Sequence, residues 1–228
     1  MKKIILSAIS LVVLAGCGGG DGGESAPSSY QKDGLYFNEA SLAVMLIDTE
    51  LSQNSMLVGD YSTNSFYFND THTTQGNTIT TTGLSYVDNA VYAYDSQLNT
   101  TITISESGAD ISAVVNGQNM MYSFDRTSSS LPVTEFVGTH TNPNDGSTWT
   151  INSDGSFSVN GICTISGVLT RKDEYYTASN VEASGCANPA FNGTDYYARL
   201  VTVKHQDHHH LMAAMSNTNN FIWGSAPF

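Results

Sequence analysis

The chain has 228 residues, 40% of them hydrophobic, with 21 acidic side chains against eight Lys and Arg and a formal charge of −13. That length holds one or two domains with cores of their own. The basic residues are few and scattered, which excludes nucleic acid as a partner, because phosphate contact needs them clustered.

In chain order, Lys2 and Lys3 precede an apolar run over residues 4–15, and small residues lead to Cys17. This is the layout of a cleaved export signal, and it is too short for a transmembrane helix, which needs roughly 20 apolar residues. Leu14-Ala15-Gly16-Cys17 resembles the lipobox of bacterial lipoproteins. The resemblance implies cleavage after residue 16, lipidation of Cys17 with palmitate-type acyl chains, and attachment to a membrane through that N-terminal anchor. In that family an aspartate after the cysteine tends to retain the protein in the inner membrane; here Gly18 follows, so the resemblance implies the outer membrane of the cell envelope. Loss of residues 1–16 leaves six basic residues against 21 acidic, a formal charge of −15. Such a charge keeps an anchored body soluble.

Residues 17–34, nearly all Gly, Ser, Pro or charged beyond the cysteine, lack the apolar surface to order themselves and read as a tether. A flexible chain of that length reaches about 20 to 25 Å.

The body reads as all-β, two small antiparallel lobes of about eight strands each, barrel- or sandwich-like: residues 35–127 and 132–228. Short segments rich in Thr, Val, Ile, Tyr and Phe alternate with Asn, Asp, Gly and Ser turns. Expected strands in the first lobe are residues 42–48, 55–61, 65–69, 77–83, 90–95, 100–106, 110–115 and 119–126. Three serines and Pro132 break the pattern between the lobes. In the second lobe, residues 147–152 and 156–160 flank Asp154-Gly155, a tight-turn pair, and strands follow at 162–169, 174–184, 196–205, 210–216 and 220–224. Most segments run five to eight residues, short for strands that cross a lipid bilayer.

Cys163 and Cys186 are the two cysteines left after Cys17, in a chain exported to an oxidising compartment, and are expected to pair. Over roughly residues 120–224 the chain resembles a widespread group of uncharacterised proteobacterial lipoproteins. The resemblance lies in the Asp154-Gly155 hairpin with Phe157, the Gly161-x-Cys163 strand with Gly167, and Gly185-Cys186. It implies a small exported β domain with the Cys163–Cys186 bridge and no known activity.

Residues 205–211 hold His205, Asp207, His208, His209 and His210. Imidazoles suit Zn, Ni or Cu(II). On a strand His208 and His210 share a face, and His205 or Asp207 closes a site across the hairpin; an exposed polar hairpin tip is the plainer reading. No G-x-S-x-G or H-E-x-x-H motif is present, so the sequence points away from an enzyme and requires no cofactor. Aromatics fall in adjacent or alternate pairs: Tyr36-Phe37, Phe66-Tyr67-Phe68, Tyr92 and Tyr94, Tyr175-Tyr176, Tyr196-Tyr197. Neighbours on a strand face opposite sides, so one ring of an adjacent pair belongs to a core and the other is available to a protein or small-molecule ligand. The sequence therefore leads to a lipid-anchored, non-catalytic binding or structural module, with metal binding at residues 205–210 as the alternative.

Overall fold

The computed structural model describes residues 29–115 and 117–228. The expected export signal, Cys17 and the expected tether up to residue 28 lie outside the described residues.

The first lobe is a closed antiparallel barrel in which each strand pairs with its sequence neighbours. Its strands are β1 (Gly34–Asn38), β2 (Ala43–Ile47), β3 (Met56–Asp60), β4 (Ser65–Gln75), β5 (Thr78–Val87), β6 (Tyr92–Ile104), β7 (Gly108–Val115) and β8 (Gln118–Arg126). Alternation along the strands sends Tyr36, Met45, Ile47, Met56, Ile79, Ile102 and Phe124 into a shared interior. β1 closes the barrel by pairing with β2 and, at Tyr36 and Phe37, with β8.

The second lobe is an antiparallel sheet in the order β17-β16-β15-β14-β12-β11-β10-β9, curled so that β17 lies against β9. Its strands are β9 (Gly138–Thr141), β10 (Thr148–Ile151), β11 (Ser156–Asn160), β12 (Thr164–Val168), β13 (Thr170–Lys172), β14 (Tyr175–Ser184), β15 (Gly193–His205), β16 (His208–Ser216) and β17 (Phe221–Pro227). β13 pairs with β14. Phe136, Trp149, Ile151, Val181, Tyr196 and Leu211 fill its interior. The β10–β11 turn places Gly155 at φ +84°, the left-handed conformation that the Asp154-Gly155 pair favours. Cys163 and Cys186 form a disulfide, S–S 2.00 Å.

Four details depart from the expected elements. β1, β9 and β13 form where no strand was expected. Residues 90–95 and 100–106 belong to one strand, β6, which keeps its pairing with β5 through a bulge opposite Gly83. β4, β5 and β15 are longer than expected, at 11, 10 and 13 residues; bulges interrupt the register between β14 and β15. The last residues assigned to the tether are held on the barrel. The Tyr36 hydroxyl donates to the Lys32 carbonyl at 2.6 Å, the Thr49 amide donates to Asp33 at 2.6 Å, and Arg126 donates to the carbonyls of Gln31 and Asp33.

The two lobes pack on each other. Leu35, Phe37, Val44 and Leu46, on the outside of β1 and β2, meet Tyr175, Val201, Val203 and Met212 of β14, β15 and β16. Every residue of β2 is buried, its Ala43, Met45 and Ile47 in the barrel and its Val44 and Leu46 against the other lobe. At the rim of this contact Phe66 and Phe68 meet Phe221, and Phe66 also meets Trp223, at centroid distances of 5.2 to 5.4 Å.

Candidate functional site

The histidine tract forms a two-residue hairpin between β15 and β16, with Gln206 left-handed at φ +54°. His205 stands opposite His208, and His210 opposite Val203, so these three imidazoles share a face. The His205 and His210 rings lie 5.9 Å apart, and His205 meets Phe37 edge-on at 6.0 Å. His209 points the other way and stacks on Phe228 at 5.5 Å, while Asp207 stays in the exposed turn. Strand alternation thus divides the tract between two faces. Among the described residues no three His, Cys, Asp or Glu side chains are grouped to hold a metal ion. Burial, and then the charges of His205, His208 and His209, hold the His210 imidazole below its usual range. His140 lies against Phe228 as well, with its Nε2 2.9 Å from the Phe136 carbonyl oxygen.

A groove of about 530 Å³ runs beside the segment that joins the lobes, lined by Ser130, Pro132, Asp154, Leu169, Arg171 and Tyr176 among others. Its one cation is engaged in structure: Arg171 donates to the carbonyls of Ser130 (2.6 Å) and Leu131 (3.3 Å) and sits over the Tyr176 ring at 4.9 Å. Asp154 accepts from the Ser156 hydroxyl and amide, which hold its carboxyl below the usual range. Both charged groups of the groove are thus taken up by neighbouring residues, and the groove seats the connecting segment.

The paired aromatics divide as strand alternation requires, but the outward rings are mostly covered. Tyr36 is in the first core and Phe37 in the contact between lobes; Tyr176 is in the second core and Tyr175 in the contact. Phe66 is buried against Trp223. The second lobe therefore occupies the surface that the sequence reserved for a ligand. Sequence periodicity assigns a residue to a face of a sheet but not that face's neighbour, so this covering had no signal in the chain.

The first half of β6 is the exception. Tyr92 and Tyr94 are 64% and 51% exposed, and beyond them, on the β7–β8 hairpin, Met120 and Met121 are 58% and 73% exposed. Tyr92 and Tyr94 stand opposite Val87 and Ser85 of β5, which in turn face Phe66 and Phe68 of β4, so their rings continue the outer face on which the aromatic cluster at the lobe contact sits. Ser85 is buried beneath them, 3.2 Å from the Tyr92 hydroxyl. Tyr94 donates to Asp70. That hydrogen bond first, then burial and the charges of Asp70 and its neighbours, raise the Tyr94 phenol. At the turn before β6, Asp88 accepts from the Tyr86 hydroxyl (2.6 Å) and from the Ala90 and Val91 amides (2.7 Å each). The Asp88 hydrogen bond, with burial and the nearby carboxylate behind it, pushes the Tyr86 phenol up to about 12.

The chain matches no family model, and comparison with curated proteins and with solved structures finds no match to it.

Proposed function

We propose that the protein is an envelope lipoprotein whose Cys17 carries the acyl anchor, and that its two-lobed body is a non-catalytic binding module. The binding face is the outer surface of the first half of β6. One observation supports the face above all: Tyr92 and Tyr94 stay open to solvent while the outward aromatics Phe37, Phe66 and Tyr175 are covered by the opposite lobe. Contiguous exposed aromatic surface marks a recognition site. The anchor rests on Lys2-Lys3, the apolar run and Leu14-Ala15-Gly16-Cys17; two or more buried acyl chains are needed to hold a protein stably on a bilayer. Among the described residues no helix is long and apolar enough to cross a membrane.

The two parts are tested together in cells. Cys17→Ser is expected to remove the acyl mass from the mature chain and shift it out of the membrane fraction; unchanged fractionation refutes the anchor. A photo-crosslinking residue in place of Tyr94 is expected to give a discrete adduct in the native envelope, and one in place of exposed Ser166 on β12 none. Equal adducts at both positions, or none at Tyr94, refute the face.

A further inference from the structure

Charge narrows what this face binds. Residues 34–125 hold ten Asp and Glu and no Lys or Arg. The second lobe aims Lys172 and Arg199 at this barrel, ending on Asp48 at 2.6 Å and on the Asn54 carbonyl at 2.7 Å. Arg126, the last residue of β8, is held on the Gln31 and Asp33 carbonyls, so β4 to β7, with acidic side chains and no Lys or Arg, keep an uncompensated negative field where the second lobe does not cover them. On the β6 face the field is local: Asp70 holds the Tyr94 hydroxyl, Asp88 closes the adjoining turn, and the charge of Asp95, on the other side of the strand, still reaches the Tyr94 phenol. Aromatic faces bordered by carboxylates attract guanidinium and ammonium groups through the ring quadrupole and through Coulomb attraction.

The backbone supplies a second, independent feature. β6 pairs with β5 through residues 92–95, yet with β7 only through residues 100–104. Among the described residues the outer edge of residues 92–95 therefore has no ladder partner, and such an edge is a template for an added strand. The bulge opposite Gly83 ends this edge, which limits an added strand to a short pairing and leaves discrimination to the side chains. A second copy of the chain is a poor occupant, since edge-to-edge pairing would set two barrels of like charge against each other.

Resting on the binding face assigned above, we propose that residues 92–95 take up a cationic extended polypeptide segment as an added strand, its Arg or Lys side chains seated on Tyr92 and Tyr94 beside Asp70.

The probe is a blocked ten-residue peptide alternating Arg and Thr, titrated against the full chain in detergent micelles by fluorescence anisotropy, with amide hydrogen exchange on the complex. Binding is expected to slow exchange over residues 92–95. Replacing Arg by Glu, or N-methylating alternate peptide residues so that they cannot enter a ladder, is expected to weaken binding by about tenfold or more. Both comparisons use the unaltered protein and so do not depend on any variant folding. The Tyr92→Ala/Tyr94→Ala variant keeps the net charge, and it too is expected to lose about tenfold. Undiminished binding by that variant or by the N-methylated peptide, protection at other strands, or a dimer on light scattering that already protects residues 92–95, overturns the proposal. If the peptide fails while the crosslinker at Tyr94 still gives its adduct in the envelope, the binding face stands and the cationic strand falls; no adduct at Tyr94 removes both.

Discussion

A carboxylate buried between two sheets needs donors aimed at it, and Asp48 has two from the opposite lobe. Lys172 Nζ lies 2.6 Å and the Tyr175 hydroxyl 2.7 Å from its Oδ2. Burial alone would raise the Asp48 carboxyl; the hydrogen bonds from Lys172 and Tyr175, the Lys172 charge and the Glu50 amide outweigh it and hold the group below its ordinary value. Glu50, exposed and 3.6 Å from Lys172, adds little. A depressed carboxyl contributes stability that is complete above its unfolded value near 4 and is lost as pH falls through the lower folded value. Asp48→Asn keeps an acceptor for Tyr175 but leaves the partly exposed Lys172 without its counter-charge. Urea unfolding is expected to show a loss of about 1 to 3 kcal/mol at pH 7, and a smaller difference from the parent chain at pH 3. Equal stability at pH 7 would show that the ion pair contributes nothing to the lobe contact.

At the scale of elements, the parts legible in the sequence are those whose side chains alternate or run unbroken. Trp149 and Ile151 on β10, with Phe157 and Val159 on β11, mark one buried face each, and the Asp154-Gly155 turn joins them. The apolar run of β2 reads as a strand because both of its faces are covered. β1 is hidden by its position: Leu35-Tyr36-Phe37 is a short run directly after a polar segment that reads as a tether, and pairing with β2 and, where the barrel closes, with β8 makes it a strand. β6 was divided because Asp95-Ser96-Gln97 has the composition of a turn, whereas Gly83, left-handed at φ +74°, lets the ladder carry the extra residues as a bulge. The bridge belongs to this scale too. Cys163 precedes β12 and Cys186 follows β14, so the bond closes the loop containing β12, β13 and β14 over a separation of 23 residues. Cys163→Ala/Cys186→Ala is expected to cost about 3 kcal/mol in the chain-entropy picture. Amide exchange should accelerate most in β12 and β14 and least in the first barrel. Uniform acceleration in both lobes would mean that they unfold as one cooperative unit.

For the whole molecule, the contact between lobes is the surface where sequence reasoning expected a ligand, and its histidine border makes it sensitive to acid. His205 meets Phe37 across the contact, and His210 stands opposite Val203, itself part of the apolar seam. The His210 imidazole is held low, by burial first and by the charges of His205, His208 and His209 next. A base whose folded value lies below its unfolded value near 6.5 binds fewer protons in the folded state. Stability therefore falls as pH drops from the unfolded value through the folded one. That window lies above the ordinary carboxylate range, so Asp48 does not contribute to it. Lys172, although burial opposes it, is raised by its hydrogen bond to Asp48 and by the charges of Asp48 and Glu50; its share is lost only as pH rises through its folded value, above 10.5. The urea midpoint is accordingly expected to fall between pH 7.5 and 5.5 and to hold steady between 7.5 and 9. His210→Asn should flatten the acid side, and added salt should flatten it in part by screening the repulsion among the imidazoles. A midpoint that does not move between pH 7.5 and 5.5, or a slope unchanged by His210→Asn, would show that the histidine hairpin gains its protons without feeling the lobe beside it.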